Sequence, residues 1–398
     1  MHANRSLRLL FLTIFLDLMG YGLIIPLLPN YTRSLGASAA MVGVVTAAYS
    51  LTQFVFGPVL SSLSDRYGRR PVLLLTIALN VVAYLLFGWA QSLLLLIGSR
   101  LLAGLASANL SVAQAYIADS TPLEGRTKAL GMIGAALGLG FIFGPPVGGA
   151  VKFYLGIEWV GYVAAGLAAL NLALALIQLP ESLPATRTGR PIRFFDASVL
   201  AAVGRSSQLS RLFTVYFLFT LAFAILTVTG ALLWRDRFAL NDAQIGYTFA
   251  GIGVITAVIQ GGLLGKLVAR FGERSLMLTG LFLMALSLAT MPFIPALAFM
   301  PGEVALIILF AIGYGLVLPA STALVSRAFS LAEQGQILGQ YQSVAALARI
   351  IGPVAGAALY GWNVGATYLI GGGIMLVSLL LAQGIGQSAS VINPSTSA

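Results

Sequence analysis

The sequence predicts an all-α membrane protein with twelve transmembrane helices arranged as two six-helix bundles. Hydrophobic residues make up 59% of the 398 residues and charged residues only 9%, whereas soluble domains have roughly 25% charged residues. Apolar stretches of about 20 residues, the length of a helix that crosses a bilayer, recur along the chain. The two halves of the chain also carry similar motifs at similar positions.

A long polar segment, 180–210, divides the apolar stretches six and six. We expect 1–179 and 211–386 to form the two bundles, 180–210 to be a cytoplasmic linker, and 387–398 to be a disordered cytoplasmic tail. The predicted spans are 7–29, 41–63, 72–90, 93–118, 126–151, 159–179, 211–233, 243–265, 275–295, 303–326, 336–361 and 364–386.

Lys and Arg residues are distributed unevenly among the predicted loops. With the N-terminus inside, all but six of the 22 fall in cytoplasmic loops. The other six comprise four in outer loops and two within spans: Arg33, Lys152, Arg235, Arg237, Arg100 and Arg349. Basic residues accumulate in cytoplasmic loops of membrane proteins. The bias predicts that both termini are cytoplasmic, and it explains the net charge of +10 without a nucleic-acid partner.

Two motif pairs relate the halves. Ser61–Arg70 reads SSLSDRYGRR and Gly265–Arg274 reads GKLVARFGER, while GPPVGG at 144–149 pairs with GPVAGA at 352–357. The two spacings are nearly equal, so one duplication explains both pairs. A six-plus-six repeat is typical of transporters whose two halves surround a central site.

Several function classes are excluded by composition. Cysteine is absent and the one histidine, His2, is near the N-terminus. The chain therefore has no disulfide and no cysteine or histidine metal site. It also lacks a nucleophile–base set and a nucleotide-binding loop. We expect neither an enzyme nor a bound metal or cofactor.

Asp17 is the one carboxylate that we place near the middle of a span, in FLDLMGYGLIIPLLP. An acid at membrane depth is costly and points to function. Burial favours its protonated form and a nearby cation favours its ionised form, so conformation can control its protonation. Arg100, in the fourth span, is a candidate partner. We predict that Asp17 and Arg100 couple proton movement to transport; a fixed structural ion pair is the alternative.

Other polar residues inside spans are candidate substrate contacts. Arg100 is the first of a series of polar and small residues, including Gly104, that recur at helical spacing along one face of the fourth span. Arg349, near the middle of the eleventh span, could meet an anionic substrate group or pair with backbone oxygens. Aromatic residues such as Tyr49, Phe141, Tyr216, Phe219, Tyr314 and Tyr341 could stack on a ligand or pack between helices. The substrate candidates are Gln53, Ser107, Ser111, Gln114, Gln260, Gln340, Gln342 and Arg349.

Two motifs are more specific. The loop SDRYGRRP at 64–71 places Asp65 among Arg66, Arg69 and Arg70, with Gly68 between them. In the fifth span, GFIFGPPVGG at 140–149 carries a face of Gly140, Gly144 and Gly148, with Pro145 and Gly149 beside it. Small residues four apart permit close helix packing, and proline kinks a helix.

These motifs, together with AYIADSTP and LPASTALVSR, resemble the drug:proton antiporter family of the major facilitator superfamily, and in particular bacterial tetracycline-efflux proteins. The resemblance implies a gating role for Asp65, which would cap a helix N-terminus in the other half, and an antiport role for the fifth-span motif. It also implies a monomer in the bacterial inner membrane. Ser61, where the family usually has glycine, and Arg349 depart from the pattern.

The resulting hypothesis is export of an amphipathic organic compound, possibly tetracycline-like, in exchange for protons by alternating access. The expected partners are the small-molecule substrate, protons and the lipid bilayer. One alternative is export of a sugar, amino acid or other metabolite. An alternative of another class is a membrane sensor that keeps the fold without turnover.

Overall fold

The structure, a computed structural model, describes residues 2–107, 112–113, 116–117, 119, 123–182, 204, 206–327 and 334–386. All regular elements within these ranges are helical. The predicted tail 387–398 and most of the predicted linker 180–210 lie outside the described residues. The chain divides into a first compact unit, Met1–Arg193 with Ala239–Gly253, and a second unit, Phe194–Phe238 with Val254–Ala398.

The first half of the chain contributes seven described helices. They are α1 (His2–Ile24), α2 (Leu28–Ser34), α3 (Ala39–Tyr67), α4 (Arg69–Gly88), α5 (Leu93–Ala106), α6 (Leu123–Leu155) and α7 (Ile157–Gln178).

The second half contributes six described α-helices and four short helical segments. The α-helices are α8 (Ser207–Phe238), α9 (Asp242–Val258), α10 (Leu264–Thr290), α11 (Val304–Arg327), α12 (Gln334–Trp362) and α13 (Val364–Gln383). The short segments are π-helices at Ile259–Leu263 and Phe299–Glu303 and 3₁₀-helices at Met291–Phe293 and Ala296–Ala298.

Polar caps set the start of several helices. Ser38 accepts a hydrogen bond from the backbone N–H of Met41 at the start of α3. Ser92 accepts one from the backbone N–H of Leu95 at the start of α5. Asn363 accepts from the Ala366 N–H at 2.8 Å at the start of α13. Each side chain satisfies a backbone donor that has no partner within its own helix.

The helices are long and apolar enough for a membrane. Among the described residues, eight helical stretches meet length and hydropathy criteria for a span, or nine if α1 and α2, bent by 42°, form one span. One stretch, Asp242–Phe293, has 52 residues. At about 1.5 Å per residue it far exceeds the roughly 30 Å hydrocarbon layer. It is long enough for two crossings, and its backbone leaves the helical conformation at Gly272.

Apolar side chains fill the interiors and also cover outer faces. In the first unit, one core cluster surrounds Leu73 and Ile77, and a second surrounds Phe87 and Val160. In the second unit, α8 is the most deeply buried of the candidate spans, with 67% of its most apolar stretch buried. Large apolar side chains elsewhere are exposed, for example Leu94, Ile177 and Leu380. Exposed apolar surface on so many helices fits contact with lipid, as expected for a multi-pass membrane protein.

Candidate functional site

Asp17 is held in the first unit by an asparagine. Asn80 on α4 donates from Nδ2 to the Asp17 carboxylate at 2.5 Å, and only 3% of Asn80 is exposed. One turn earlier on α1, the Thr13 carbonyl accepts from Asn171 Nδ2 of α7 at 3.3 Å. Three spans therefore meet around this part of α1. The sequence analysis missed Asn80; the available signal was an amide inside the apolar run TIALNVVAYLL.

Arg100 is buried near the same group of residues. It is 2% exposed, and its guanidinium carbon lies 5.0 Å from the centroid of the Phe87 ring, within cation–π range. Tyr84 packs against Gly20 on α1 and interacts electrostatically with both Asp17 and Arg100. The structure thus brings the two predicted coupling residues to one polar cluster. A direct proton-coupling role for them remains a prediction.

The predicted series of polar and small residues on α5 extends this cluster. A Cβ at Gly104 would lie 2.1 Å from the Tyr49 carbonyl oxygen, so α3 and α5 approach as closely as glycine allows. Ser107 donates to the Gly104 carbonyl at 2.6 Å. Ser111 and Gln114 lie outside the described residues. Gln53 is partly exposed on α3, beside the helix face that meets Gly104.

Aromatic rings flank Asp17. Tyr21, one turn along α1 from Asp17, lies 4.6 Å from Tyr49 between ring centroids. Phe141 of α6 meets Tyr21 edge-on at 6.1 Å. A partly buried acid, a buried arginine and aromatic faces therefore occupy one region of the first unit. Such a region can bind a proton and present flat apolar surface to a ligand.

The loop between α3 and α4 is a separate polar site. Asp65 forms an ion pair with Arg69 at 2.5 Å, and Arg69 Nε also binds Asp119 at 3.0 Å. Arg69 Nη1 donates to Ser64 Oγ at 2.6 Å. Asp65 lies 16 positions after Tyr49 on α3, which is about 24 Å along the helix axis. The loop is therefore distinct from the Asp17 cluster, and the gating role of Asp65 remains a prediction.

Glu181 caps α4. Its carboxylate accepts from the backbone N–H groups of Arg69 at 2.9 Å and Arg70 at 3.1 Å, at the helix end where the dipole favours an anion. Gly68, with φ of 101°, makes room, because a Cβ there would lie 2.6 Å from the Glu181 carboxylate. Arg66 is exposed and lies over the Tyr67 ring at 5.4 Å. The sequence did not point to Glu181; the cap expected from Asp65 is on a helix of the other half and stays a prediction.

The second unit repeats part of this arrangement. Gly272 aligns with Gly68 in the predicted repeat and also has positive φ, 75°. Arg70 donates to the Leu176 carbonyl at the end of α7 at 2.8 Å. The aligned Arg274 donates to the Gln383 carbonyl at the end of α13 at 2.5 Å. In both units, the glycine thus interrupts the helical conformation and the arginine hydrogen-bonds the C-terminal end of another helix. This similarity supports the inferred duplication.

The fifth-span motif lies on α6 and packs on two helices. A Cβ at Gly140, Gly144 or Gly148 would meet α1 atoms at 2.7, 2.8 and 2.1 Å respectively. The opposite side meets the start of α9, where a Cβ at Gly149 would lie 2.6 Å from the Asp242 carbonyl oxygen and one at Gly246 would lie 2.4 Å from the Pro145 carbonyl oxygen. Close backbone contacts of this kind require glycine. The first unit accordingly includes Ala239–Gly253, which contains the start of α9.

A salt bridge closes one end of this contact. Lys152 in the last turn of α6 lies 3.0 Å from Asp242, the first residue of α9, and both side chains are mostly buried. Each charge sits at the helix end whose dipole favours it. From the sequence, Lys152 was expected in an outer loop, and its pairing with Asp242 was not predicted.

The substrate candidates of the second unit fall into two groups. Gln260 is exposed in the π-helix Ile259–Leu263 and lines an open cavity of about 400 Å³ with Leu318, Thr322 and Ser326. π-helical turns are frequent at functional sites. Arg349 on α12 interacts electrostatically with Tyr216 and Tyr314. Gln342 hydrogen-bonds Tyr216, and Gln340 is buried on the same helix.

Comparison with known proteins identifies the class. The family model of the Major Facilitator Superfamily matches residues 10–353, so the chain belongs to that superfamily. It is therefore a membrane transporter and not an enzyme, as the sequence predicted. Structural similarity covers nearly the whole chain: the crystal structure of a D-xylose–proton symporter has a TM-score of 0.77 at 16% identity, over 97% of this chain and 99% of that one.

The chain is similar to efflux proteins in sequence. Tetracycline resistance protein class C of Escherichia coli is 33% identical over 390 residues, covering 95% of this chain and 96% of the relative. Multidrug resistance protein 2 of Bacillus subtilis is 29% identical over 383 residues, covering 92% and 91%. The human organic anion transporter MFSD10 (TETRAN) has a crystal structure with a TM-score of 0.73 at 26% identity, covering 96% and 99%. The predicted resemblance to tetracycline-resistance proteins is confirmed.

Proposed function

We propose that this protein exports an amphipathic organic compound in exchange for protons by alternating access. The partly buried carboxylate of Asp17 carries the proposal. It lies in a spanning helix, accepts a hydrogen bond from Asn80, and shares a polar cluster with buried Arg100. A proton carrier must be able to lose its charge inside the membrane. An amide partner permits this, because it can donate to the ionised carboxylate and accept from the protonated one.

Two contacts are suited to gating. The Asp65–Arg69–Asp119 network and the Glu181 cap hold one end of the first unit. The Lys152–Asp242 pair joins α6 to α9 at the end that the charge pattern assigns to the outside. We infer that these two networks alternately hold the cytoplasmic and outer ends closed. The glycine contacts of α6 with α1 and α9 supply a tightly packed support for such movement.

The proposed topology has twelve transmembrane helices in two six-helix halves, in the bacterial inner membrane, with both termini cytoplasmic. The matched conformations of Gly68 and Gly272 support the repeat, and the Lys and Arg distribution supports the orientation. A reporter fused after Ala398 is expected to be active only in the cytoplasm. Periplasmic activity of that fusion would contradict the topology. We propose that the chain works as a monomer.

Transport with an imposed pH gradient tests the proposed function. Inverted membrane vesicles are incubated with a panel of labelled drugs, including tetracycline, and separately with labelled sugars and amino acids. We expect uptake of one or more drugs when the vesicle interior is acidic, and loss of uptake when the gradient collapses. Uptake of metabolites alone would favour a metabolite exporter, and no turnover of any compound would favour a sensor.

Asp17→Asn tests the coupling residue in the same vesicles. The variant is permanently neutral, so we expect gradient-driven uptake and substrate-induced proton release to disappear, while exchange without a gradient continues. Asp236→Asn, at an exposed acid bonded to Tyr360, is the matched control and should retain coupled uptake. Uphill transport by Asp17→Asn at the wild-type rate would show that Asp17 is not the proton carrier.

A further inference from the structure

Arg349 is a cation at membrane depth, and the part of the chain that the structure describes offers it no ion-pair partner. It lies within the candidate span Gln340–Trp362 of α12 and is partly exposed. Among the described residues, no carboxylate lies within ion-pair distance of Arg349, and no hydrogen bond to it is formed. Charged residues inside spans almost always pair with each other or face a water-filled cavity. The charge of Arg349 is therefore available to a ligand.

The neighbours of Arg349 show where its charge is directed. Its electrostatic partners are Tyr216 on α8 and Tyr314 on α11. These two tyrosines come from different helices of the second unit, so the charge of Arg349 lies near α8 and α11 as well as near its own helix α12.

Aromatic rings form a continuous ladder beside this charge. Tyr341 and Tyr216 stack at 3.8 Å with an interplanar angle of 6°. Tyr314 lies 5.5 Å from Phe219 and 4.3 Å from Phe223, tilted by 22° in both pairs. The rings from three helices are thus nearly parallel. Tyr314 is partly exposed, so its free surface can extend the ladder to a planar ligand, and stacked aromatic pairs are stabilising beyond their burial.

The ladder leads into the open cavity. Tyr314 lies one turn before Leu318 on α11, and Leu318 and Thr322 line the cavity with Gln260. Residues four apart share a helix face. A ligand whose polar groups meet Gln260 and Thr322 can therefore extend along α11 to the Tyr314 ring, which interacts electrostatically with Arg349.

We propose that Arg349 and Tyr314 form a subsite for an anionic planar aromatic group, and that the exported compound is an organic anion. A guanidinium binds a carboxylate or sulfonate through paired hydrogen bonds, and the tyrosine ring binds the flat apolar part. A cationic ligand is disfavoured there, since the described part of the second unit offers it no acid beside Arg349. The inference rests on the proposed export function but concerns only the charge of the substrate.

Two dyes with the same xanthene ring and opposite charge test this subsite. Binding of fluorescein, at a pH where it is a dianion, and of cationic rhodamine 6G is measured by fluorescence anisotropy on purified full-length protein in detergent, with no proton gradient. The wild type is expected to bind fluorescein more tightly. Arg349→Gln should weaken fluorescein binding about tenfold, which corresponds to about 1.4 kcal/mol, and leave rhodamine 6G binding unchanged or stronger.

Three variants complete the design. Arg349→Lys should weaken fluorescein binding less than Arg349→Gln, because lysine keeps the charge without the paired donors. Tyr314→Leu should weaken both dyes, because it removes the stacking surface. Arg235→Gln, which removes an exposed charge at the end of α8, is the matched control and should change neither.

Four results would overturn the proposal: tighter wild-type binding of rhodamine 6G, no fluorescein binding, equal loss of both dyes in Arg349→Gln, or equal effects of Arg235→Gln and Arg349→Gln. If Arg349→Gln fails to fold, the wild-type dye preference and Arg349→Lys decide the question. The assay needs no coupling. Loss of dye selectivity therefore counts against the subsite alone, whereas a failure of gradient-driven transport counts against the proposed export.

Discussion

Replacing Gly148 with alanine is expected to loosen α6 from α1. The added Cβ would lie 2.1 Å from the Leu23 carbonyl oxygen, whereas ordinary contacts begin at 3.4 Å. The obstacle is backbone and cannot rotate away, so the helices must separate locally by about 1 Å. Overpacking of this kind costs about 1–3 kcal/mol, and the better helix propensity of alanine offsets at most about 1 kcal/mol.

Gly138 provides a matched control on the same helix, because a Cβ there would meet nothing within 4 Å. The assay is thermal unfolding of purified protein in detergent, followed through its four tryptophans. Gly148→Ala should melt several degrees below wild type, while Gly138→Ala should melt at the same temperature or slightly higher. A melting temperature for Gly148→Ala at or above the wild-type value would refute the close-packing argument.

Three further predictions concern polar contacts between distant parts of the chain. The effects of Lys152→Ala and Asp242→Ala on stability should not be additive. A double-mutant cycle on thermal stability should give a coupling free energy of about 1 kcal/mol. Zero coupling would mean that the pair does not hold α6 to α9. Glu303 is fully buried and accepts a hydrogen bond from the Trp234 indole N–H at 3.0 Å, while its second carboxylate oxygen has no hydrogen-bond partner among the described residues. Glu303→Gln should therefore preserve stability, whereas Glu303→Ala should lower it by about 1–3 kcal/mol. Equal melting temperatures for the two variants would contradict this. Glu181→Ala should destabilise the start of α4 by about 0.5–2 kcal/mol, detected as faster amide exchange at Arg69 and Arg70, and unchanged exchange would count against the cap.

The sequence by itself determined the class of fold and predicted a duplication within it. Helices follow from local composition and spacing, because a bilayer-length apolar stretch must satisfy its backbone groups internally. The repeat was visible for the same reason: Gly68 and Gly272 occupy equivalent sequence positions and both take positive φ. The motif glycines on α6 were also readable, because residues four apart necessarily share a helix face.

Only the tertiary structure decided which polar groups meet. Asp17 and Asn80 are far apart in the chain, as are Arg69 and Glu181 and Lys152 and Asp242, and no local pattern links them. Their contacts depend on how helices converge, which packing of many side chains fixes together. The same holds for Arg349: the sequence left open whether it meets a ligand or the backbone. The structure places it beside Tyr216 and Tyr314, because α8, α11 and α12 converge there.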